Sequence, residues 1–244
     1  MIRRLLFTLT SLAVLPCGAT AGSISWGSAV ADKLYDSEGS PLTSDYSFEM
    51  GTFSGGFEPT AANLGDWAGS WKLLEKADFI TSPLYFTENS LLATSGPGLV
   101  WERDAVNDPP TPASNPNVFF PGERVYVWAY NSKASGTPVQ WALLTGTGST
   151  SDTDWVLTAD MGDELAMTLQ WRLSNATTPV YGGLNNLRGP GGYSAEPATY
   201  SLQTALVVTI PEPSATGLLT AIFLLPLNRR RRPSTCGGGG ANQC

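Results

Sequence analysis

The chain has 244 residues, of which 42% are apolar and 14% charged, with 26 glycines and 18 prolines. That apolar content supports a packed core, while charge well below the usual quarter and frequent turn formers point to a loop-rich fold. There is no histidine, and the three cysteines, Cys17, Cys236 and Cys244, all lie at the ends. Ser-His-Asp and Cys-His catalysis, histidine metal sites and a disulfide framework for the middle are therefore excluded.

At the N-terminus, Arg3 and Arg4 precede an apolar run from Leu5 to Leu15 that Pro16 breaks. Ala19-Thr20-Ala21 follows, with small residues at the two positions a signal peptidase reads, so residues 1–21 are expected to be a signal peptide cut before Gly22. The apolar run is too short for a comfortable membrane span of about 20 residues. Cys17 would leave with the signal, and no cysteine remains between Gly22 and Ile210. The fold must then stand on its core.

Residues 22–208 are read as one extracytoplasmic β-rich domain. Setting aside Arg3, Arg4 and the four C-terminal arginines leaves 8 basic residues, and setting aside Glu212 leaves 20 acidic ones, a net charge of −12. Such a surface argues against nucleic acid and anionic lipid as partners. Alternating or β-branched runs at Asp45–Met50, Arg124–Tyr130, Val139–Leu144, Asp154–Thr158 and Thr199–Val208 predict strands. Leu84–Thr94 predicts one or two more. Arg124–Tyr130 and Val139–Leu144 read as a hairpin across the turn formers Ser135–Pro138. The recurrence of turn residues between these runs suits a β-sandwich or jelly roll. One segment departs from this. Leu64, Trp67, Ala68, Trp71 and Leu74 fall at helical spacing, so a short amphipathic helix is expected from an N-cap at Thr60. Glu102–Pro121 and Thr145–Thr153 read as loops, the latter flexible.

Without histidine, acid–base chemistry would need paired carboxylates. The near neighbours are Glu102 with Asp104, and Asp160 with Asp163 and Glu164. Among 20 acids such neighbours arise by chance, and most acids are solvated surface. The domain is accordingly read as non-enzymatic, without a cofactor. Asp152-Thr-Asp154 offers oxygens that suit calcium, but it matches no EF-hand loop and Asx turns explain it, so no metal site is assigned. Of the eight tryptophans, Trp67, Trp71, Trp128 and Trp141 read as core. Trp101 and Trp155, beside loops, are the candidates for stacking on sugar rings.

The C-terminus carries the most specific pattern. Pro211-Glu212-Pro213 is followed by a mostly apolar stretch from Ser214 to Leu227 and then Arg229, Arg230, Arg231 and Arg232. The prolines keep a helix from running back into the domain. A helix from Ser214 to Asn228 would be about 22 Å long, short against a hydrocarbon core of about 30 Å. The arginines would hold the tail in the cytoplasm and the domain outside. Residues 233–244 continue as a Gly-rich tail read as flexible.

This tripartite end resembles the PEP-CTERM sorting signal of exported bacterial proteins, with the motif at Pro211, Glu212 and Pro213, the apolar helix at Ala215–Leu227 and the basic cluster at Arg229–Arg232. Residues 209–232 would be the sorting and anchor segment. Within the domain, Phe48–Phe53, Pro59–Trp67 and Val125–Asn131 look like a module seen in many PEP-CTERM proteins. The resemblance implies a membrane-embedded exosortase as partner, at least transient anchoring by the C-terminal helix, and delivery to the cell surface or extracellular matrix, with association with exopolysaccharide or biofilm. The expectation is a non-enzymatic surface or matrix protein. The alternative is a carbohydrate-binding module or a carboxylate-dependent glycosidase.

Overall fold

A computed structural model of the chain describes residues 21–95, 98–102, 118–134, 138–158 and 168–207. The signal segment up to residue 20, Asp104, Asp160, Asp163, Glu164, the sorting segment and the tail fall outside them. The strands are, in chain order, β1 (Ala21–Gly27), β2 (Leu34–Tyr35), β3 (Ser47–Phe53), β4 (Trp71–Lys76), β5 (Asp78–Thr81), β6 (Leu84–Ser95), β7 (Gly98–Glu102) and β8 (Val118–Phe119). They continue as β9 (Tyr126–Tyr130), β10 (Gln140–Thr145), β11 (Thr168–Arg172), β12 (Thr178–Tyr181), β13 (Gly183–Leu184), β14 (Leu187–Arg188), β15 (Leu202–Gln203) and β16 (Ala205–Leu206). With a single short α-helix, α1 (Trp67–Ser70), the described fold is all-β. No described helix is long and apolar enough to cross a membrane, and the expected C-terminal span lies outside these residues.

The strands form three sheets. The first runs β11-β1-β6-β7-β8, with β5 also on β6. Thr87 pairs with Gly27 and with Asp78, while Leu92 pairs with Gly22 and with Trp101. The 12-residue β6 therefore has β1 along one edge and β5 then β7 along the other. The second sheet runs β12-β10-β9-β3-β4, with β16 on β10, and the third is β14-β13-β15-β2. The expected hairpin is present, with Trp141 opposite Tyr130 and Thr145 opposite Tyr126.

The middle strands of the second sheet, β3, β9 and β10, are buried on both faces, and side-chain parity sorts their residues. Val127 and Ala129 of β9 and Ala142 and Leu144 of β10 join Ile24, Trp26 and Phe86 of the first sheet in one core. Their chain neighbours Tyr126, Trp128, Trp141 and Leu143 point the other way, into a second, aromatic core with Phe53, Trp67 and Tyr181. Trp67 sits at its centre, stacked 5.6 Å from Trp141 and edge-on to Trp128 at 5.9 Å. A strand buried on both faces reads as a continuous apolar run, and every residue of β10 is buried.

The predicted helix from Thr60 is corrected to a much shorter element. A 3-10 turn at Leu64–Asp66 leads into α1, which stops at Ser70, and Trp71–Lys76 is a strand paired with β3. Gly65 and Gly69 weaken the helix by roughly 1 kcal/mol each, and isolated helices below about 12–15 residues are marginal. The edge of β3 offers a ladder instead, so Trp71 reaches the aromatic core and Leu74 the inter-sheet core as strand residues. Thr60 does not cap. Its N–H donates to Asn63 Oδ1, which also accepts from Trp67 Nε1 at 2.9 Å.

Other boundaries also move. Asp154–Thr158 makes only the isolated bridges Thr147–Asp154 and Arg124–Val156. Thr199–Val208 breaks into β15 and β16, and Leu84–Ser95 is one long strand. Val118–Phe119, expected in a loop, is strand β8. The loop after β10 is tied down, with the Thr147, Thr177 and Thr178 hydroxyls 2.8–3.4 Å apart.

Candidate functional site

Trp155 is not an exposed platform: it is 1% exposed and stacked on Trp171 at 6.0 Å. Two indoles pin the loop above it. Trp155 Nε1 donates to the Asp152 carbonyl at 3.0 Å and Trp171 Nε1 to the Ser151 carbonyl at 2.9 Å. Trp101 lies in β7 opposite Leu92, its side chain outside what the structure describes. Trp67, Trp128 and Trp141 are core, as expected, and Trp71 is half-buried on the aromatic core. Asp154 pairs with Arg124 at 3.1 Å and Asp152 Oδ1 accepts the Gln170 N–H at 3.3 Å. Among the described residues, no three His, Cys, Asp or Glu side chains come together as a metal site.

The structure brings together two groupings that the sequence did not indicate. The first is a cleft of about 460 Å³ between the end of β3 and the approach to β9, lined by Phe53, Gly56, Phe57, Glu58, Pro121, Gly122, Glu123, Arg124 and Tyr126. After Phe53 a 3-10 turn, Ser54–Gly56, reverses the chain and sets Phe57 beside Phe53, with centroids 5.4 Å apart. Tyr126 meets Phe53 edge-on at 5.3 Å. Gly56 (φ +71°) and Gly122 (φ +93°) hold left-handed backbone, and a Cβ on either would meet nothing within 4 Å. The lips of the cleft are thus bare main chain.

Most of its charges are neutralised in place. Glu123 accepts from Lys72 Nζ at 2.8 and 2.9 Å and from the Thr52 hydroxyl at 3.0 Å. Arg124 Nη1 donates to the Gly146 carbonyl and to Asp154. Glu58 is exposed, and its carboxylate has no hydrogen bond among the described residues. Burial pushes the Tyr126 phenol up, with Arg124 opposing and Glu58 reinforcing. No local motif marks this site, since its two walls are distant in the sequence and are brought together by the β3–β9 pairing.

The second grouping is a buried glutamate under a caged lysine. Glu49, 5% exposed, accepts hydrogen bonds from the Tyr130 hydroxyl, from Lys133 Nζ and from Trp71 Nε1, the last at 2.9 Å. Lys133 Nζ lies 5.0, 5.1 and 5.8 Å from the ring centroids of Tyr130, Trp128 and Trp71. Such an arrangement favours a cation by both charge and ring quadrupole. Burial, then the Glu49 hydrogen bond and charge, push the Tyr130 phenol well above its usual range. The chain's own lysine fills this cage, which acts as a clamp between β3 and the β9–β10 turn.

A second cleft, of about 310 Å³, lies at Ser149–Ser151, Asp154, Val156, Thr158 and Leu169. Its Thr150 hydroxyl lies 2.7 Å from that of Thr153 and its Asp154 is held by Arg124. Neither cleft is accompanied by an external likeness: no protein-family model, curated protein or solved structure matches the chain.

Proposed function

We propose that this is an exported, non-enzymatic protein of the cell surface or extracellular matrix, sorted through its C-terminus by an exosortase and associated with exopolysaccharide. The observation that carries the reading is the order Pro211-Glu212-Pro213, apolar segment, Arg229–Arg232. The domain has no cysteine from Gly22 to Ile210, so its folding is the same in an oxidising or a reducing compartment and export leaves it unaltered. The start of β1 at Ala21 is compatible with a cut before Gly22, which would leave all but one of its residues in place. The two large sheets sharing a core are read as a β-sandwich, a scaffold that presents loops at its ends. The test is the intact mass of the protein recovered from its native envelope. A species starting near Gly22 and ending near Pro213 supports the reading; one that retains Arg229–Cys244 overturns exosortase processing.

A further inference from the structure

We propose that the cleft between Phe57 and Glu123 binds a neutral saccharide, with the half-buried Phe57 ring meeting a sugar C–H face and Glu58 and the Tyr126 hydroxyl bonding sugar hydroxyls. Its size lies within the range of small-molecule sites. A pyranose presents one apolar face and a rim of hydroxyls, and the cleft offers the complement of both. Phe57 is the half-buried ring at the cleft, held in place by the buried Phe53 at 5.4 Å, which Tyr126 in turn meets edge-on at 5.3 Å. Glu58 is a carboxylate with its acceptor capacity uncommitted among the described residues, and Arg124 has only Nη1 engaged there, leaving other N–H donors. The Tyr126 hydroxyl makes no hydrogen bond to any described residue, although Tyr126 is only 7% exposed.

Charge selects among ligands. Glu123 is matched by Lys72, and Arg124 by Asp154, so Glu58 is the one uncompensated charge at the cleft among the described residues. Polyanions are disfavoured by that surplus and by the domain's net charge of −12. A metal cation would find a single free carboxylate, Glu58, since Glu123 is committed to Lys72 and Thr52, and one carboxylate is too few to hold it. A neutral polyhydroxylated ring meets neither penalty, and hydroxyls donating to a carboxylate form the stronger, charge-assisted class of hydrogen bond. The bare lips at Gly56 and Gly122 leave the cleft open, as entry of one unit of a longer chain requires. Glu123 is committed to Lys72 and Thr52, which leaves Glu58 as the carboxylate free to accept from a ligand.

This deepens the surface-protein reading and rests on it for access to the ligand, while the chemistry rests on the cleft alone. The intact mass reports on the former and sugar binding on the latter, so either can fail without the other. The experiment titrates the purified full chain with three probes, a neutral β-linked glucotetraose, a neutral mannotetraose and a tetrauronate, by calorimetry or ligand-observed NMR. At least one neutral probe is expected to bind at millimolar or lower concentration, with the tetrauronate about tenfold weaker or worse. Phe57→Ala should weaken binding at least about tenfold through loss of the stacking ring. Glu58→Gln, at an exposed position that leaves the fold intact, should weaken it several-fold, and Trp155→Phe should leave it unchanged. Absence of binding by both neutral probes, preference for the tetrauronate, or binding that survives both Phe57→Ala and Glu58→Gln overturns the proposal.

Discussion

Removing the Glu49 carboxylate tests whether the caged lysine stabilises the fold. Glu49→Ala strands three donors at once: the Tyr130 hydroxyl, Trp71 Nε1 and the Lys133 ammonium. The phenol and indole sit against an aromatic core, so each loses about 1 kcal/mol or slightly more when left without an acceptor. The Lys133 side chain is 29% exposed and can turn to water, which reduces its share to about 0.5–1 kcal/mol. The expected destabilisation is about 3 kcal/mol. In a domain of this size that is about 6–12 °C in melting temperature. Glu49→Gln keeps the volume and one acceptor oxygen and should lose about half as much. Urea unfolding followed by tryptophan fluorescence and far-ultraviolet circular dichroism reads both variants, with Lys133→Met completing a double-mutant cycle. A loss below about 1 kcal/mol for Glu49→Ala would refute the reasoning, because it would mean that water already satisfies these groups in the folded state.

Trp67→Ala removes the centre of the aromatic core and the only side chain of α1 that is buried, and should destabilise the fold by about 3–5 kcal/mol in the same assay. A loss near 1 kcal/mol would show that Trp128, Trp141 and Tyr181 close over the gap. Alkaline stability is governed in part by Tyr46, whose phenol burial pushes up to about 12, partly offset by Thr204 and reinforced by the charges of Asp36, Glu38 and Asp45. The unfolded chain gives up that proton near pH 10, so the contribution is complete below about pH 10 and disappears as pH rises towards 12. Urea midpoints across that interval should therefore fall less steeply for Tyr46→Phe than for the wild type. Equal slopes would count against it.

The local part of this fold was legible in the residues. β9 and β10 are adjacent in the chain, rich in β-branched and aromatic side chains and separated by turn formers, so their hairpin needs little beyond nearest-neighbour propensity. The burial of Trp67, Trp128 and Trp141 was likewise written in their placement among apolar neighbours. β1 was missed, because the short Ala21–Gly27 has only Ile24 and Trp26 to signal it, and its ladder to β11 is a parallel pairing between distant segments. Trp71–Lys76 was misassigned because its apolar spacing satisfies a helix and a strand alike over so few residues.

The amino-acid sequence by itself determined the excluded chemistries, the acidic and cysteine-free character of residues 22–210, the all-β class and the pattern on which the sorting proposal rests. These depend on residue types and short-range order, which the chain carries wherever it folds. Only the tertiary structure decided that β4 would take the edge of β3, that the middle strands of the second sheet would be covered on both faces, and that the 149–153 loop would enclose Trp155. It likewise decided that Phe57 and Glu123 would face one cleft and that Lys133 would fill the cage above Glu49. The reason is that period-2 alternation says which side chains share a face, whereas what covers that face is supplied by segments far away in the chain.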